Sequence, residues 1–425
     1  MQEGWKKYKI SDFIEINPKV KLITNQEYSF VEMKDLDANN KSVIPSDFKK
    51  LKGGAKFQDF DTLFARITPC LQNGKICQVK GLKNGIGFGS TEFLVFRGKK
   101  KISDSDFVYY LSREPFFRQF SESNMIGTSG RQRIAKEAFE NLQLELPPLQ
   151  EQKAIASILS ALDDKIENNL AMNKTLEDMA MALYKHWFLD FGPFQEGEFV
   201  DSELGMIPEG WEVKSIGNFI DYKKGYAFKS KWYLPAGKSI VRVSDTTHNS
   251  IDLTSCNKIS DQKAIEFENF ALRTNDVIIA TVGSWPPNYD SVVGKVVRVP
   301  ISANGCLLNQ NAVKLQMNIN DRNFQSILYF TLKNEKFLKY IVNRAQGSAS
   351  QASIKLTDIF DYKIPFYSID NFISFSFEID SFVELQNQLT EENQVLANLR
   401  DTLLPKLING EVRVKDAEKI IAEVL

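Results

Sequence analysis

The chain is poor in the residues that most metal sites and many active sites require. It has two histidines, His186 and His248, in 425 residues, and its four cysteines are Cys70, Cys77, Cys256 and Cys306. The cysteines lack the spacing of a metal site, and two histidines leave imidazole catalysis little to work with. We therefore expect buried thiols in a reducing compartment and no metal bound by this chain.

Long apolar runs are also missing. No stretch reaches the length of a membrane span, and the first residues, Met-Gln-Glu-Gly-Trp-Lys-Lys, lack the apolar segment of a signal peptide. We therefore expect a cytoplasmic protein.

Common catalytic motifs are absent as well. Gly237-Lys238-Ser239 resembles the end of a phosphate-binding loop, but Trp232 occupies the position where that loop needs glycine. The segment from Trp285 to Asn288 (WPPN) departs from the aromatic-proline motif of amino methyltransferases on both sides of its prolines. A stand-alone methyltransferase or nuclease is therefore disfavoured.

What the sequence does contain is a long amphipathic segment in its centre. Apolar residues and asparagines follow one another in alternating steps of four and three: Ile155, Leu159, Leu162, Ile166, Asn169, Asn173, Leu176, Ala180, Leu183 and Trp187. This spacing predicts a coiled-coil helix. Its two asparagines either set the register within the chain or face a partner, and we favour register.

The segment recurs 220 residues later. The second seam consists of Phe375, Ile379, Phe382, Gln386, Leu389, Asn393, Leu396, Arg400 and Leu403, and its Asn393 corresponds to Asn173. The preceding regions also repeat, since Gly127–Ile134 (GTSGRQRI) corresponds to Gly347–Ile354 (GSASQASI). An internal duplication of this size predicts approximate two-fold symmetry, with the two helices antiparallel.

The predicted fold is α+β, with two similar globular blocks separated by the two antiparallel coiled-coil helices. The first block is expected to hold a helix from about Asp104 to Ser121 and a strand from Phe139 to Leu146. The predicted segments are a first block at 1–147, a central helix at 148–190, a connection at 191–206, a second block at 207–367, a distal helix at 368–406 and a C-terminal tail at 407–425.

Charge alternates along these segments. Residues 1–150 hold 24 Lys and Arg against 18 Asp and Glu, whereas residues 151–204 hold 4 against 11. The same contrast returns in residues 205–367, with 20 against 14, and in residues 368–425, with 5 against 11. Two basic blocks joined by acidic helices suggest that the blocks face a polyanion.

Several short motifs in this order resemble the specificity subunit of type I restriction-modification enzymes. The motifs are Leu146–Gln152 (LPPLQEQ), Ala182–Phe191 (ALYKHWFLDF), Asn393–Leu396, Leu403–Leu407 (LLPKL) and Asn409–Arg413. The likeness covers essentially the whole chain. Each motif alone is weak, but their order and duplication are specific.

The resemblance implies that each block is a target recognition domain that reads one half of a bipartite, asymmetric site on double-stranded DNA. It also implies that the helices dock two modification methyltransferase subunits, and that motor-nuclease subunits join for restriction. S-adenosylmethionine, ATP and magnesium would then bind those partners, and this chain would not be an enzyme by itself. A specificity subunit of a related system that cuts on both sides of its site is the alternative.

Candidate DNA contacts are basic, amide or aromatic side chains in glycine-rich loops, where they reach phosphates and base edges without burying a charge. They are Arg66, Asn73, Lys75, Arg131, Gln132, Arg133, Lys224, Tyr226, Lys229, Arg242, Asn309, Gln310 and Gln351. For each of them, a solvated surface role is the alternative. The acidic residues Asp163, Asp164 and Glu177, expected on the outer face of the central helix, become candidate docking charges, beside Asn169, Asn173 and Asn393.

Overall fold

The computed structural model of the protein describes residues 4–128, 130–247, 250–288, 292–319 and 322–423. The mixed α/β chain divides into two compact units. Unit one consists of residues 1–169 and 393–425, and unit two consists of residues 170–392. Each unit therefore holds one globular block and part of each long helix.

The first block begins with a short strand and ends in a strand that pairs with it. Its strands are β1 (Lys6–Lys9), β2 (Ile14–Ile16), β3 (Glu27–Val31), β4 (Ser42–Val43), β5 (Asp47–Lys50), β6 (Ala55–Gln58), β7 (Thr62–Ala65), β8 (Ile76–Val79), β9 (Ile86–Gly89), β10 (Phe93–Gly98) and β11 (Gln143–Leu146). Its helices are α1 (Ile10–Phe13), α2 (Ser105–Arg113), α3 (Pro115–Ser123) and α4 (Glu137–Glu140). The long helix α5 (Leu149–Phe188) follows.

The second block follows a short connection. Its strands are β12 (Phe199–Val200), β13 (Ile207–Pro208), β14 (Glu212–Ser215), β15 (Ile220–Lys224), β16 (Lys238–Val241), β17 (Asn257–Ile259), β18 (Val277–Ala280), β19 (Val282–Gly283), β20 (Val296–Arg298), β21 (Leu307–Leu308), β22 (Ala312–Ile319), β23 (Arg322–Asn323), β24 (Gln346–Ser348), β25 (Gln351–Ser353) and β26 (Lys363–Phe366). Its helices are α6 (Asp261–Ile265), α7 (Gln325–Lys333), α8 (Glu335–Arg344) and α9 (Leu356–Phe360). The chain ends with the long helix α10 (Ile369–Ile408) and with α11 (Val414–Ala422).

The central sheet of unit one has the strand order β2-β10-β7-β8-β4. Every residue of β7 and β8 is buried, as expected for strands covered on both faces. Phe64 and Phe96 on this sheet contact Phe117 and Phe139 from the helices, in an aromatic core. A second sheet, β5-β3-β9-β6, contains the parallel pair of β3 and β9.

Unit two repeats this plan. Its central sheet contains the order β15-β22-β18-β20, and its smaller sheet contains the parallel pair of β16 and β21. The helices α7 and α8 follow the long strand β22, as α2 and α3 follow β10. The internal duplication predicted from the sequence is therefore present in the fold.

The two long helices run antiparallel in both units. In unit one, Asp163 and Asn169 of α5 bond to Arg400 and Asn393 of α10, so moving forward along one helix means moving backward along the other. In unit two, Glu177 contacts Gln386 while Tyr184 lies near Phe375. The predicted seam residues are buried or half-buried throughout.

Three local predictions were wrong. The helix expected from Asp104 to Ser121 is two helices, because Pro115 begins α3 and the Glu114 side chain caps it. The strand expected from Phe139 begins only at Gln143, after α4. The segment expected to be a tail extends α10 to Ile408 and forms α11, whose Ala417 and Ile421 join the core of unit one. Among the described residues, no helix is both long enough and apolar enough to cross a membrane.

The four cysteines provide a test of this packing. Cys77, Cys256 and Cys306 are buried, whereas Cys70 is half-buried. Burial raises the pKa of Cys77 and of Cys256 to about 12, so neither forms the reactive thiolate near neutral pH. We expect iodoacetamide at pH 8 to label Cys70 first in the folded chain and all four thiols after unfolding, as peptide mass spectrometry would show. Rapid labelling of Cys77 in the native chain would contradict the packing of β8.

Candidate nucleic-acid interface

The repeated glycine-rich segment forms a similar loop in both units. In unit one, Arg133 bridges Ile126 on one side and Ile67 on the other. In unit two, Ser353 of β25 pairs with Gln346 on one side and with Val282 on the other. The repeated motif therefore builds a turn that lies beside the strand segment following the buried strand β7 or β18.

The glycine that opens each loop has a steric role. Gly127 and Gly347 have φ values of +135° and +157°. A Cβ at Gly347 would lie 2.0 Å from the carbonyl oxygen of Gln351, and one at Gly127 would lie 3.0 Å from that of Arg131. Only glycine fits this turn without a backbone shift.

Arg131 and Arg133 have different surroundings in the unit-one loop, which also contains Ser129, a residue outside the described ranges. The Arg133 guanidinium donates to both carboxylate oxygens of Glu92 at 2.8 to 3.0 Å. The pKa of Arg133 is raised by this hydrogen-bonded carboxylate, so the group stays charged. Arg131 is exposed, and no described residue pairs with its guanidinium. Arg133 therefore holds the loop, while Arg131 is available to a ligand.

Arg66 and Gln132 attach this loop to the end of β7. The Ile134 amide donates to the Arg66 carbonyl at 2.9 Å, and the Gln132 amide donates to the Thr68 hydroxyl at 3.0 Å. Both side chains are half-buried, and Nε of Arg66 is buried without a hydrogen-bond partner among the described groups. A buried donor of this kind is costly unless a ligand or water satisfies it.

Arg66 also lines a groove that the sequence did not reveal. Its neighbours in the lining include Lys19, Lys21, Lys56 and Thr91, and no Asp or Glu is among the described residues that line it. Asn17 also lines the groove and is anchored to the central sheet, because its side-chain oxygen accepts from the Val95 amide at 2.9 Å. Glu92, the partner of Arg133, adjoins Thr91, so the groove and the loop share one surface of unit one.

The other two unit-one candidates also differ: one is exposed and the other is bonded within the protein. Asn73 is exposed. Lys75 is half-buried, and its ammonium donates to the Met33 carbonyl at 2.9 Å. Lys75 is therefore a structural contact in this state.

The corresponding loop of unit two carries no cation. Gln351 is exposed on β25, and Trp285 donates from its indole Nε1 to the Ser348 carbonyl at 2.8 Å. In the sequence, Trp285 stands out only as part of a methyltransferase-like motif, which does not reveal its contact with the repeated loop.

The remaining unit-two candidates are either exposed or engaged internally. Lys224, Lys229 and Gln310 are exposed. The other three candidates contact neighbours within the block. The Tyr226 ring packs 4.6 Å from that of Phe267, Arg242 donates to the Asp245 carboxylate, and Asn309 is buried. Their side chains thus stabilise the block.

Two acidic residues expected on the outer face of α5 point inward. Asp163 is 1% exposed and accepts from Arg400 and from the Tyr110 hydroxyl, each at 2.7 Å. Glu177 accepts from Tyr329 at 2.6 Å. The prediction of outer docking charges was therefore wrong for both, because the globular blocks cover these faces, whereas Asp164 is exposed.

The seam asparagines meet partners within the chain. Asn169 is buried and donates to the Asn393 side chain at 2.9 Å in unit one. Asn173 is half-buried and lies 3.5 Å from the Thr390 hydroxyl in unit two. Among the described residues, no cluster of His, Cys, Asp and Glu has the grouping of a metal site.

The fold and its repeated loops define a duplicated α/β module built on a pair of long helices. The family model described as the type I restriction modification DNA specificity domain matches residues 2–178 and 208–370. Because these matches cover most of the chain, the protein belongs to this family.

Two relatives identified by sequence, the EcoAI and HindI specificity subunits, agree with the assignment. The chain is 26% identical to the EcoAI specificity subunit of Escherichia coli, over 66% of this chain and 62% of that subunit. It is 24% identical to the HindI specificity subunit of Haemophilus influenzae, over 96% of this chain and 99% of that one. The chain thus spans under two thirds of the length of the EcoAI relative. The type I restriction-modification S subunit of M. genitalium aligns over 95% of this chain and 96% of its own, at 14% identity and a TM-score of 0.48.

We expect variants of the two arginines in the unit-one loop to differ in hydrogen exchange. Arg133→Ala removes the pair with Glu92, so we expect faster hydrogen exchange of the peptide covering residues 126–134. Glu92→Gln should have a similar effect, and Arg131→Ala should leave the exchange unchanged. Equal exchange in Arg131→Ala and Arg133→Ala would contradict the assigned roles.

Proposed function

We propose that this chain is the DNA-reading specificity subunit of a type I restriction-modification complex, in which each block reads one half of a bipartite, asymmetric site. The observation that carries the proposal is the unit-one surface that joins Arg131, Arg66 and the lysine groove. It presents several cations, and no described carboxylate lines the groove.

This surface suits a duplex better than a small anion. Lys19 and Lys21 are exposed, and no described residue pairs with Lys19, Lys21 or Lys56, so the lysines can meet successive phosphates with little desolvation cost. Arg131 stands at the tip of a glycine-rich turn, where a guanidinium can reach a base edge and bond to guanine through two donors. In this arrangement the lysines position the duplex and Arg131 supplies specificity.

We infer that the glycine-rich loop of the second block uses less charge than that of the first. Its loop, residues 347–354, offers the Gln351 amide beside serine hydroxyls, and exposed cations such as Lys224 and Lys229 lie outside the loop. Glutamine can bond to adenine through its amide group, whereas lysine more often meets phosphate. The two half-sites would then differ in base composition and in salt sensitivity.

The proposal also includes partner subunits and the cofactors that they would bind. Two modification methyltransferase subunits would dock on the long helices, where Asp164 and Asp178 are exposed, and motor-nuclease subunits would join for restriction. S-adenosylmethionine, ATP and magnesium would bind those partners in the cytoplasm. Residues 1–147 and 207–367 would be the two target recognition domains, and residues 148–190 and 368–406 would be the helical segments between and after them.

Salt dependence tests the phosphate contacts. We expect the affinity of the full chain for duplex DNA to fall steeply with salt, with a log-log slope of about −0.9 per phosphate contact. Replacing Lys19, Lys21 and Lys56 with Gln should make this slope shallower by about 2.7, since three contacts are lost. Fluorescence anisotropy over a salt series would measure both slopes.

A matched variant separates a local contact from the effect of net charge. Lys7, Lys9 and Lys100 are exposed lysines of unit one outside the groove. Replacing these three with Gln changes the net charge equally and should leave most of the slope intact. Equal losses in the two triple variants would contradict the groove as the binding surface.

A further inference from the structure

Unit one contains a buried charge network in the helix seam. Asp163 and Arg400 are 1% and 5% exposed, and Nη1 of Arg400 donates to Asp163 at 2.7 Å. The Tyr110 hydroxyl donates to the other carboxylate oxygen at 2.7 Å. Although burial disfavours the guanidinium charge, Asp163 keeps the pKa of Arg400 above its usual value, together with the exposed Asp401, which accepts from Nε of Arg400 at 2.9 Å. The guanidinium therefore stays charged.

The repeat shows that this network is not required for the packing itself. At the 220-residue offset, Tyr110 corresponds to Phe330, Asp163 to Val383, and Arg400 to Ala180. All three counterparts are buried in the apolar core of unit two. The polar residues are therefore replaced as a set, and the same architecture packs without them.

One nearby layer of the seam does not distinguish one helix from the other. Asn169 bonds to Asn393, and the counterpart of Asn393 in α5 is Asn173. If α5 met a second copy of α5 in the same register, Asn169 would meet another asparagine. Near this layer, self-pairing of α5 would cost little.

The Asp163–Arg400 ion pair makes self-pairing of either helix costly. Since Ala180 is the α5 counterpart of Arg400, pairing α5 with itself would bury Asp163 opposite alanine. Since Val383 is the α10 counterpart of Asp163, pairing α10 with itself would place Arg400 opposite valine and leave it only the exposed Asp401 of its own helix. A buried charge that has lost its partner is far more costly than a buried ion pair, and a symmetric dimer would contain it twice.

We propose that the Asp163–Arg400 pair selects the mate of each long helix. It allows α5 to pair with α10, and it prevents either helix from pairing with its equivalent in a second copy of the chain. Each helix pair therefore consists of one α5 and one α10. It carries block one and block two, and not two copies of the same block. This inference does not depend on the DNA-reading function.

Full-length chains with single reversed charges test the selection. Asp163→Arg and Arg400→Asp each place like charges in the buried site, so each chain alone should lose the native monomer. Co-expression should rescue both, because α5 of either chain finds a complementary charge on α10 of the other. The exchange needs only the connection at residues 195–206 to open, and most of that connection is exposed. Native mass spectrometry should show a one-to-one heterodimer in about 100-fold excess over homodimers.

Two further chains serve as controls. Asp163→Arg combined with Arg400→Asp in one chain should restore a monomer, and Asp164→Arg, at the exposed neighbouring position, should leave the monomer unchanged. Native monomers from both single reversals would overturn the proposal. So would co-expression that yields no heterodimer while the doubly reversed chain folds.

A third variant gives a result even if reversed charges prevent folding. Tyr110→Phe, Asp163→Val and Arg400→Ala together install the residues that unit two already uses at these positions. This chain should fold, and without the buried charges its self-association constant in analytical ultracentrifugation should rise by about 100-fold or more. Self-association no stronger than that of the unmodified chain would overturn the proposed selection.

Discussion

The pairing of the two long helices is the constraint on which the rest of the structure depends. Each block uses the helix pair as one wall of its core: Leu159 and Leu403 lie in the same cluster as Phe107 in unit one, and Phe188 and Phe375 share the core of unit two with Phe330. Neither block would bury its apolar face without both helices. A change in helix register would therefore displace the sheet and the glycine-rich loop of each block.

The duplication leaves the two units alike in topology and different in surface chemistry. Unit one places Arg131 and several unpaired lysines around its loop, whereas unit two places Gln351 and the indole of Trp285 around the equivalent loop. The two units also differ in the helix seam, where Arg400 of unit one corresponds to the apolar Ala180 of unit two. Similar scaffolds with unlike loops fit the proposed reading of an asymmetric DNA site, because sequence is read by side chains and not by the fold.

The sequence predicted the long helices and the repeat, because both depend on residue spacing alone. It did not predict the inward position of Asp163, since the seam pattern does not show that Tyr110 covers the flank of the helix. The lysine groove was also missed, because Lys19 and Lys56 are 37 residues apart in sequence and meet only through the sheet. Arg133 was placed in the right loop, but its pairing with Glu92 follows from strand register.

We propose that this chain chooses the DNA site that its partner subunits modify. Sequencing the adenine methylation of the host genome, with and without this gene, tests that claim most directly. The account predicts that deletion removes methylation from one asymmetric site made of two short specified elements separated by a spacer of unspecified sequence. Unchanged methylation after deletion, or loss at a single continuous element, would contradict it.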